Sequence, residues 1–224
     1  MSPGLKAWIW LGALALVMGA LIFGAAGDLW FWQAWAFLAV FFGASAWITG
    51  DLIAHDPALL ERRLKGGPTQ ETEPAQRLIM IFMSLGFVAL IVVPGLDQRF
   101  GWSHAPAIVA VAGDALVAAG FYAVYLVFKA NPFASSTIGV AGGQSVVSTG
   151  PYALVRHPMY AGALVYLLGT PLALGSYWGL AVLALMLPIL IWRLVDEERV
   201  LEQRLPGYSD YKRKVRWRLL PGVF

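Results

Sequence analysis

Residues 7–26, AWIWLGALALVMGALIFGAA, form an uninterrupted apolar run near the start of the chain. At about 1.5 Å of rise per residue, a helix of this length crosses the ~30 Å hydrocarbon core of a bilayer. The apolar core of a cleaved signal peptide is shorter, about 7–15 residues. The run therefore predicts a retained membrane-spanning helix and an integral membrane protein.

The composition of the whole 224-residue chain supports the same conclusion. Hydrophobic residues make up 59% and charged residues 13%, with a mean hydropathy of +0.67, whereas soluble domains carry about 25% charged residues. Cysteine is absent, which excludes disulfides, thiolate metal sites and cysteine nucleophiles. Basic residues flank the apolar segments, a pattern that indicates membrane orientation rather than nucleic-acid binding.

Glycine, proline and aspartate divide the apolar sequence into segments. Gly27-Asp28 separates the first two, and Pro94-Gly95-Leu96-Asp97 is expected to separate the third from the fourth. Only Gly175-Ser176-Tyr177 divides the last two, which predicts a tight helical hairpin. The fold class predicted is an all-α polytopic membrane bundle of about six spans. These spans are 5–26, 29–50, 78–94, 105–128, 159–174 and 177–194.

The distribution of lysine and arginine predicts the orientation of these spans. With the N-terminus inside, residues 51–77, residues 129–158 and the C-terminal tail all face the cytoplasm. Of the 16 basic residues, only Arg99 then lies on the outer side, as the positive-inside bias requires. Both termini are therefore expected in the cytoplasm. The short termini and compact size suggest a prokaryotic protein, so the membrane is expected to be the prokaryotic cytoplasmic membrane.

Two cytoplasmic segments have their own local character. Asp56-Pro57 predicts the start of a short surface helix, which Gly66-Gly67-Pro68 should end before a polar linker over Thr69–Ala75. Glycine and proline recur through 129–158, which predicts a long loop, and such loops are usually functional.

The chain is expected to form a single integral membrane domain over residues 1–224. Residues 1–128 would form a four-span part. Residues 129–224 would contribute the cofactor-binding loop, the hairpin and a cytoplasmic C-terminal helix.

The richest polar stretch is Gly150–Gly162, GPYALVRHPMYAG. Pro158 disfavours helical geometry at His157 and can itself begin a helix. The amide groups and positive dipole end of that helix would face the loop, beside Arg156 and Tyr160, and would suit a carboxylate or phosphate. An ordinary interfacial helix cap is the alternative interpretation.

A second cluster, Asp196-Glu197-Glu198, ends the last span beside Arg193. Three carboxylates in the C-terminal half of a helix repel one another and oppose the macrodipole. A cationic ligand group would explain them, and a solvated charged helix is the alternative. Both clusters are predicted on the cytoplasmic side, so together they suit a ligand that carries a carboxylate and cationic groups.

Familiar nucleotide and hydrolase motifs are missing. The chain has no G-x-G-x-x-G, Walker A, H-E-x-x-H or G-x-S-x-G sequence, and its three histidines lie on separate segments, so no metal site is predicted. Any cofactor is therefore expected to be held by membrane helices and their loops.

The motif Arg156-His157-Pro158-x-Tyr160-x-Gly162 is followed by Glu197-Glu198 and by Gly207-Tyr208-x-x-Tyr211. This order and spacing resembles the isoprenylcysteine carboxyl methyltransferase family and its relatives, which include membrane phospholipid methyltransferases. The resemblance covers roughly residues 130–224 and points to a prokaryotic member.

The resemblance implies transfer of a methyl group from S-adenosylmethionine to a lipophilic small molecule or a lipid-linked carboxylate, thiol or amine at the cytoplasmic face. It implies catalytic roles for Glu197 and for Arg193, the latter as a substrate-carboxylate anchor. The residues it assigns to cofactor binding are Gln144, Ser145, Val146, Val147, Tyr152, His157, Pro158, Met159, Tyr160 and Glu198.

Two alternatives stay open. The C-terminal resemblance extends to NADPH-dependent sterol reductases of membranes, and a non-enzymatic membrane binding or transport protein would share the composition. The expected partners are membrane lipids and a lipophilic substrate, with no nucleic acid and no obligate protein partner. The substrate is expected to enter from the bilayer between the fourth span and the hairpin, where Gly120 and Gly162 are small.

Overall fold

The structure is a computed structural model that describes residues 1–65, 71, 73–139 and 142–224. Within these residues it contains eight α-helices, a short 3₁₀ helix at Gly150–Ala153 and no strand. The helices are α1 Pro3–Ala26, α2 Trp32–His55, α3 Pro57–Leu64, α4 Pro74–Phe100, α5 Ala107–Ala130, α6 Pro158–Ala173, α7 Trp178–Arg204 and α8 Tyr208–Lys214. The predicted stop at Gly66-Gly67-Pro68 lies outside the described residues, as does part of the predicted linker Thr69–Ala75.

The predicted all-α polytopic membrane bundle is confirmed. Helices α1, α2, α4, α5 and α7 are long and apolar enough to cross a membrane. Helix α6 is also apolar but has 16 residues, fewer than the roughly 20 of a typical span. Large apolar side chains face outward, and Leu16 and Leu185 are 77% and 76% exposed. An exposed apolar surface of this kind is typical of helices that face lipid.

The turn between α1 and α2 lies at the predicted position, but the predicted break after the third span does not occur. Gly27 ends α1 with φ +66°, a conformation that favours glycine. Helix α4 continues through Pro94 and ends at Gly101, φ +65°. The predicted break at Pro94-Gly95-Leu96-Asp97 is therefore wrong, because a proline inside a membrane helix costs a backbone hydrogen bond that packing partners can compensate. Asp97 is buried and accepts hydrogen bonds from the hydroxyls of Ser103 and Ser176.

Helices α5 and α6 pack backbone against backbone through glycines on both helices. A Cβ atom added at Gly113 would lie 2.1 Å from the Ala173 nitrogen, and one at Gly120 would lie 2.5 Å from the Tyr166 nitrogen. The expected lipid gap beside Gly120 and Gly162 is therefore wrong, because these small residues serve close packing instead. The predicted turn between α6 and α7 is present, but α6 packs mainly on α5, and α7 mainly on α4.

The bundle has two chemically different ends. At one end the three interhelical turns meet: Gly175 faces Gln33 and Ala105, and Gly27 faces Arg99. The opposite end, called here the loop end, gathers α3, residues 131–139 and 142–157, and the C-terminal segment. Helix α3 begins as predicted, with the Asp56 side chain accepting a hydrogen bond from the Leu59 N–H.

Replacing Gly113 with alanine tests the close packing of α5 and α6. The added methyl group has to displace the α6 backbone, so we expect the free energy of unfolding to fall by about 1–3 kcal/mol. The control is Gly12→Ala in α1, where nothing lies within 4 Å of the added atom, and where alanine should be neutral or stabilising. Thermal unfolding in detergent measures both variants, and equal melting temperatures would contradict the packing described.

Candidate active site

A cavity of about 770 Å³ lies at the loop end of the bundle. Its size falls in the range of about 300–1,000 Å³ typical of small-molecule sites. Every site residue predicted from the sequence lines it, except Glu198. The lining residues among those predicted are Gln144, Ser145, Val146, Val147, Tyr152, His157, Pro158, Met159, Tyr160, Arg193 and Glu197.

The start of α6 forms one wall of this cavity. Helix α6 begins at Pro158, and His157 precedes it with φ −122° and ψ 62°, outside helical geometry. The first amide groups of a helix have no intrahelical partner, and among the described residues no side chain caps this end. The helix terminus that the sequence predicted as favourable for an anion is thus present beside the cavity.

The opposite wall comes from α8 and the loop before the 3₁₀ helix. Gly207, with φ +84°, turns the chain after α7, so that Tyr208 and Tyr211 pack against Val146 and Tyr152. The Tyr211 hydroxyl donates a hydrogen bond to the Tyr152 carbonyl at 2.8 Å. The buried Tyr208 hydroxyl has no hydrogen-bond partner among the described residues. Burial raises the pKa of Tyr208, so this group is a buried neutral phenol.

Glu198 is buried behind the cavity wall, 3% exposed, and is bonded to three basic side chains. It accepts hydrogen bonds from Nε of Arg156 at 2.7 Å and from Nε of Arg218 at 3.1 Å, and Nε2 of His157 lies 3.1 Å away. The protein therefore supplies the cationic partners that the sequence interpretation expected from a ligand. Glu198 holds Arg156 and His157 in place and connects the loop to the C-terminal segment.

Glu197, in contrast, faces the cavity. The Tyr160 hydroxyl donates a hydrogen bond to Glu197 Oε2 at 2.6 Å, and Arg193 Nε donates one to the Tyr160 oxygen at 3.0 Å. Glu197 forms no ion pair within the part of the chain that the structure describes. It is the carboxylate of the predicted cluster that stays available to a bound molecule.

Arg193 has partners that the sequence did not reveal. Its Nη2 atom lies 3.1 Å from a carboxylate oxygen of buried Glu71, and its Nη1 atom donates a hydrogen bond to Gln76 at 3.0 Å. It also donates to the Ser136 carbonyl at 3.3 Å. The guanidinium therefore holds the start of α4 and the 131–139 segment onto α7. Because Glu71 neutralises its charge, Arg193 is better suited to positioning Tyr160 than to anchoring a substrate carboxylate.

Besides the polar part lined by α6, α8 and the loop, the cavity has an apolar arm that extends among the membrane helices. It is lined by one face of α1 and one face of α2, at the spacing i, i+3, i+4, i+7 of a helical stripe. Trp10 lines this arm and is 68% exposed, so the cavity reaches the outer surface of the bundle beside α1. The lining residues of this arm are Ala7, Trp10, Leu11, Leu14, Ser45, Ile48, Thr49, Leu52, Met80 and Met83.

Sequence reasoning missed Arg63, which also lines the cavity. Its Nη1 atom donates a hydrogen bond to the Ser135 carbonyl at 2.8 Å, and its guanidinium lies 5.1 Å from the centre of the Phe128 ring. Helical periodicity contained a usable signal, because Arg63 lies one turn after the buried Leu59 and Leu60 on the same face of α3.

Comparison with known families gives one match. The sequence model of the phospholipid methyltransferase family matches residues 108–206, from the start of α5 to just past the end of α7. The match begins earlier than the resemblance quoted above and ends before Gly207-Tyr208-x-x-Tyr211. Among curated proteins no significant match is found. The resemblance inferred from the Arg156–Gly162 motif is confirmed by this match.

Replacing Glu198 with glutamine tests the buried ion cluster. Because Arg156 and Arg218 would lose the carboxylate that both contact, we expect the free energy of unfolding to fall by about 3–5 kcal/mol. The control is Glu202→Gln, one turn further along α7, where an exposed pair with Lys212 is lost and the change should stay below about 1 kcal/mol. Thermal unfolding of both variants in detergent is the measurement. A Glu198→Gln variant as stable as its control would mean that the cluster does not hold the site together.

Proposed function

We propose that this chain is a membrane methyltransferase whose methyl donor is S-adenosylmethionine, because the sequence model of the phospholipid methyltransferase family matches residues 108–206. The observation that carries the proposal is the 770 Å³ cavity, which joins the predicted cofactor residues to an apolar arm that reaches the lipid. A polar donor and a lipophilic acceptor can meet only in a site that both water-soluble and lipid-soluble molecules can reach.

The groups on the cavity wall fit the parts of this cofactor. Glu197 offers an available carboxylate for a cationic group, and the uncapped start of α6 offers amide groups for a carboxylate. Val146 and Val147 give an apolar surface for the adenosine portion. Tyr208 lines the same cavity, and its buried hydroxyl, which has no partner among the described residues, is proposed to turn towards one of the polar atoms of the bound cofactor. Glu198 contributes indirectly, by fixing His157.

Bound S-adenosylmethionine supplies an activated methyl group, so the protein has mainly to align the acceptor with it. The hydrogen bonds from Arg193 to Tyr160 and from Tyr160 to Glu197 keep this part of the wall in one geometry. An acceptor carboxylate or thiolate needs no general base, whereas an acceptor amine has a proton to lose. Glu197 is the carboxylate placed to receive such a proton.

The acceptor is proposed to be lipophilic and to enter beside α1, where the apolar arm reaches the surface. The loop end is proposed to face the cytoplasm of a prokaryotic cell. Of the 16 basic residues only Arg99 belongs to the opposite end, and a bias of this kind places the basic end inside.

Binding of S-adenosylhomocysteine, the demethylated product, to the purified protein tests the choice of cofactor. Calorimetric titration in detergent should detect binding, and S-adenosylmethionine should compete with it. Competition by NADPH instead would favour the reductase alternative. Failure of all three to bind would contradict the proposed cofactor.

The Tyr208→Phe variant tests the placement of the cofactor in this wall. The lost hydroxyl has no partner among the described residues, so stability should not fall, while affinity for S-adenosylhomocysteine should fall about 2- to 10-fold. The matched control is Tyr211→Phe, whose hydroxyl bonds the Tyr152 carbonyl, and which should lose thermal stability. Unchanged affinity in Tyr208→Phe would place the cofactor elsewhere.

Cysteine labelling tests the orientation, since the chain has no cysteine of its own. An impermeant maleimide added to intact cells should label a His104→Cys variant, located between α4 and α5. It should leave a Ser209→Cys variant in α8 unlabelled until the cells are lysed. Labelling of Ser209→Cys in intact cells would reverse the proposed orientation.

A further inference from the structure

Three arginines line the cavity, and they differ in how their charge is neutralised. Arg156 is paired with Glu198 and Arg193 with Glu71. Arg63 has no carboxylate partner among the described residues. It is therefore the cavity arginine whose charge is left for a bound molecule to neutralise.

The contacts that Arg63 does make are with neutral groups. Nη1 bonds the Ser135 carbonyl and lies 3.7 Å from the Met159 sulfur, while the guanidinium lies over the Phe128 ring. Burial lowers the pKa of Arg63, which means that its surroundings disfavour the charged form. Arginine nonetheless stays protonated in proteins. An oxyanion on the cavity side would offset this cost and complete the hydrogen bonding of the guanidinium.

The position of Arg63 adds a second constraint on the bound molecule. On one side lie Met159 and Tyr160 of the polar wall. On the other side lies the apolar arm formed by α1 and α2, which extends from Leu60 towards Trp10. A molecule that places an anionic group on Arg63 and fills this arm has a charged head and a hydrocarbon chain.

We propose that Arg63 binds a carboxylate or phosphate group of the amphiphile that this enzyme methylates, with the hydrocarbon chain in the arm between α1 and α2. The inference rests on the proposed function only for the role of the amphiphile as methyl acceptor. Arg63 lies before the family match at 108–206, so the assignment comes from the contacts of this chain. A guanidinium can bond either oxyanion through two parallel hydrogen bonds.

Photocrosslinking tests the proposal with three probes that share one diazirine-bearing long alkyl chain and differ in the head group: a carboxylate, a phosphate and a neutral alcohol. The protein is reconstituted in nanodiscs of neutral lipid, and crosslinked peptides are identified by mass spectrometry. In the unaltered protein the two anionic probes should label the α1 and α2 lining saturably and more strongly than the alcohol. The stronger of the two identifies the head group.

The Arg63→Gln variant should lose about tenfold or more in apparent affinity for the anionic probes, since hydrogen bonds to charged groups are worth more than neutral ones. Its labelling by the alcohol should not change, and Arg63→Lys should retain part of the anion preference. The matched control is Arg62→Gln. Arg62 is the neighbouring arginine of α3, bonds the Pro132 carbonyl of the same loop and does not line the cavity. This control should keep the head-group preference.

Equal labelling by all three probes, or an equal loss for all three in Arg63→Gln, would overturn the proposal and leave Arg63 a support for the loop. S-adenosylhomocysteine titration of the same samples separates this outcome from failure of the proposed function. Failure of the unaltered protein to bind S-adenosylhomocysteine argues against the cofactor, whereas head-group selectivity is decided by the probes alone.

Discussion

The buried carboxylate of Glu198 is the interaction on which the site depends. It contacts Arg156 and His157, which precede α6, and Arg218, which follows α8. One side chain of α7 thereby joins two segments that are more than fifty residues apart in the sequence. The backbone agrees, because the N–H groups of Arg156 and His157 donate hydrogen bonds to the carbonyls of residues 217 and 218. This junction ties the start of α6 to the segment that follows α8.

The carboxylate side chains near the C-terminal end of α7 point in different directions. Successive residues of a helix lie about 100° apart, so neighbouring carboxylates in the sequence meet different partners. Asp196 accepts a hydrogen bond from Gln76 at the start of α4, Glu197 faces Tyr160 and the cavity, and Glu198 faces the C-terminal segment. The repulsion among three adjacent carboxylates is thus offset by separate hydrogen-bond networks. A single helix crosses the membrane and then organises three parts of the loop end.

The sequence was most informative where local geometry decides the structure. The His157-Pro158 step predicted the start of α6 correctly, and the surrounding motif predicted which residues line the cavity. It was least informative about pairing. A lone sequence shows that Glu198 needs positive partners but not whether a ligand or the protein supplies them. The Arg193–Glu71 pair joins residues 122 positions apart. Whether a helix continues through Pro94 or breaks there depends on tertiary packing, which the local sequence pattern does not show.

The backbone packing of α5 against α6 has a consequence for how this architecture can diversify. Both helices belong to the half of the chain that carries the family match, and their glycines fix them as one rigid unit. The arm that reaches the lipid is built largely from α1, α2 and α3, which come earlier in the chain. Substitutions in those three helices can reshape this arm of the cavity while α5 and α6 keep their geometry. The molecule thus combines a half that backbone packing holds rigid with a half whose cavity lining can change independently of it.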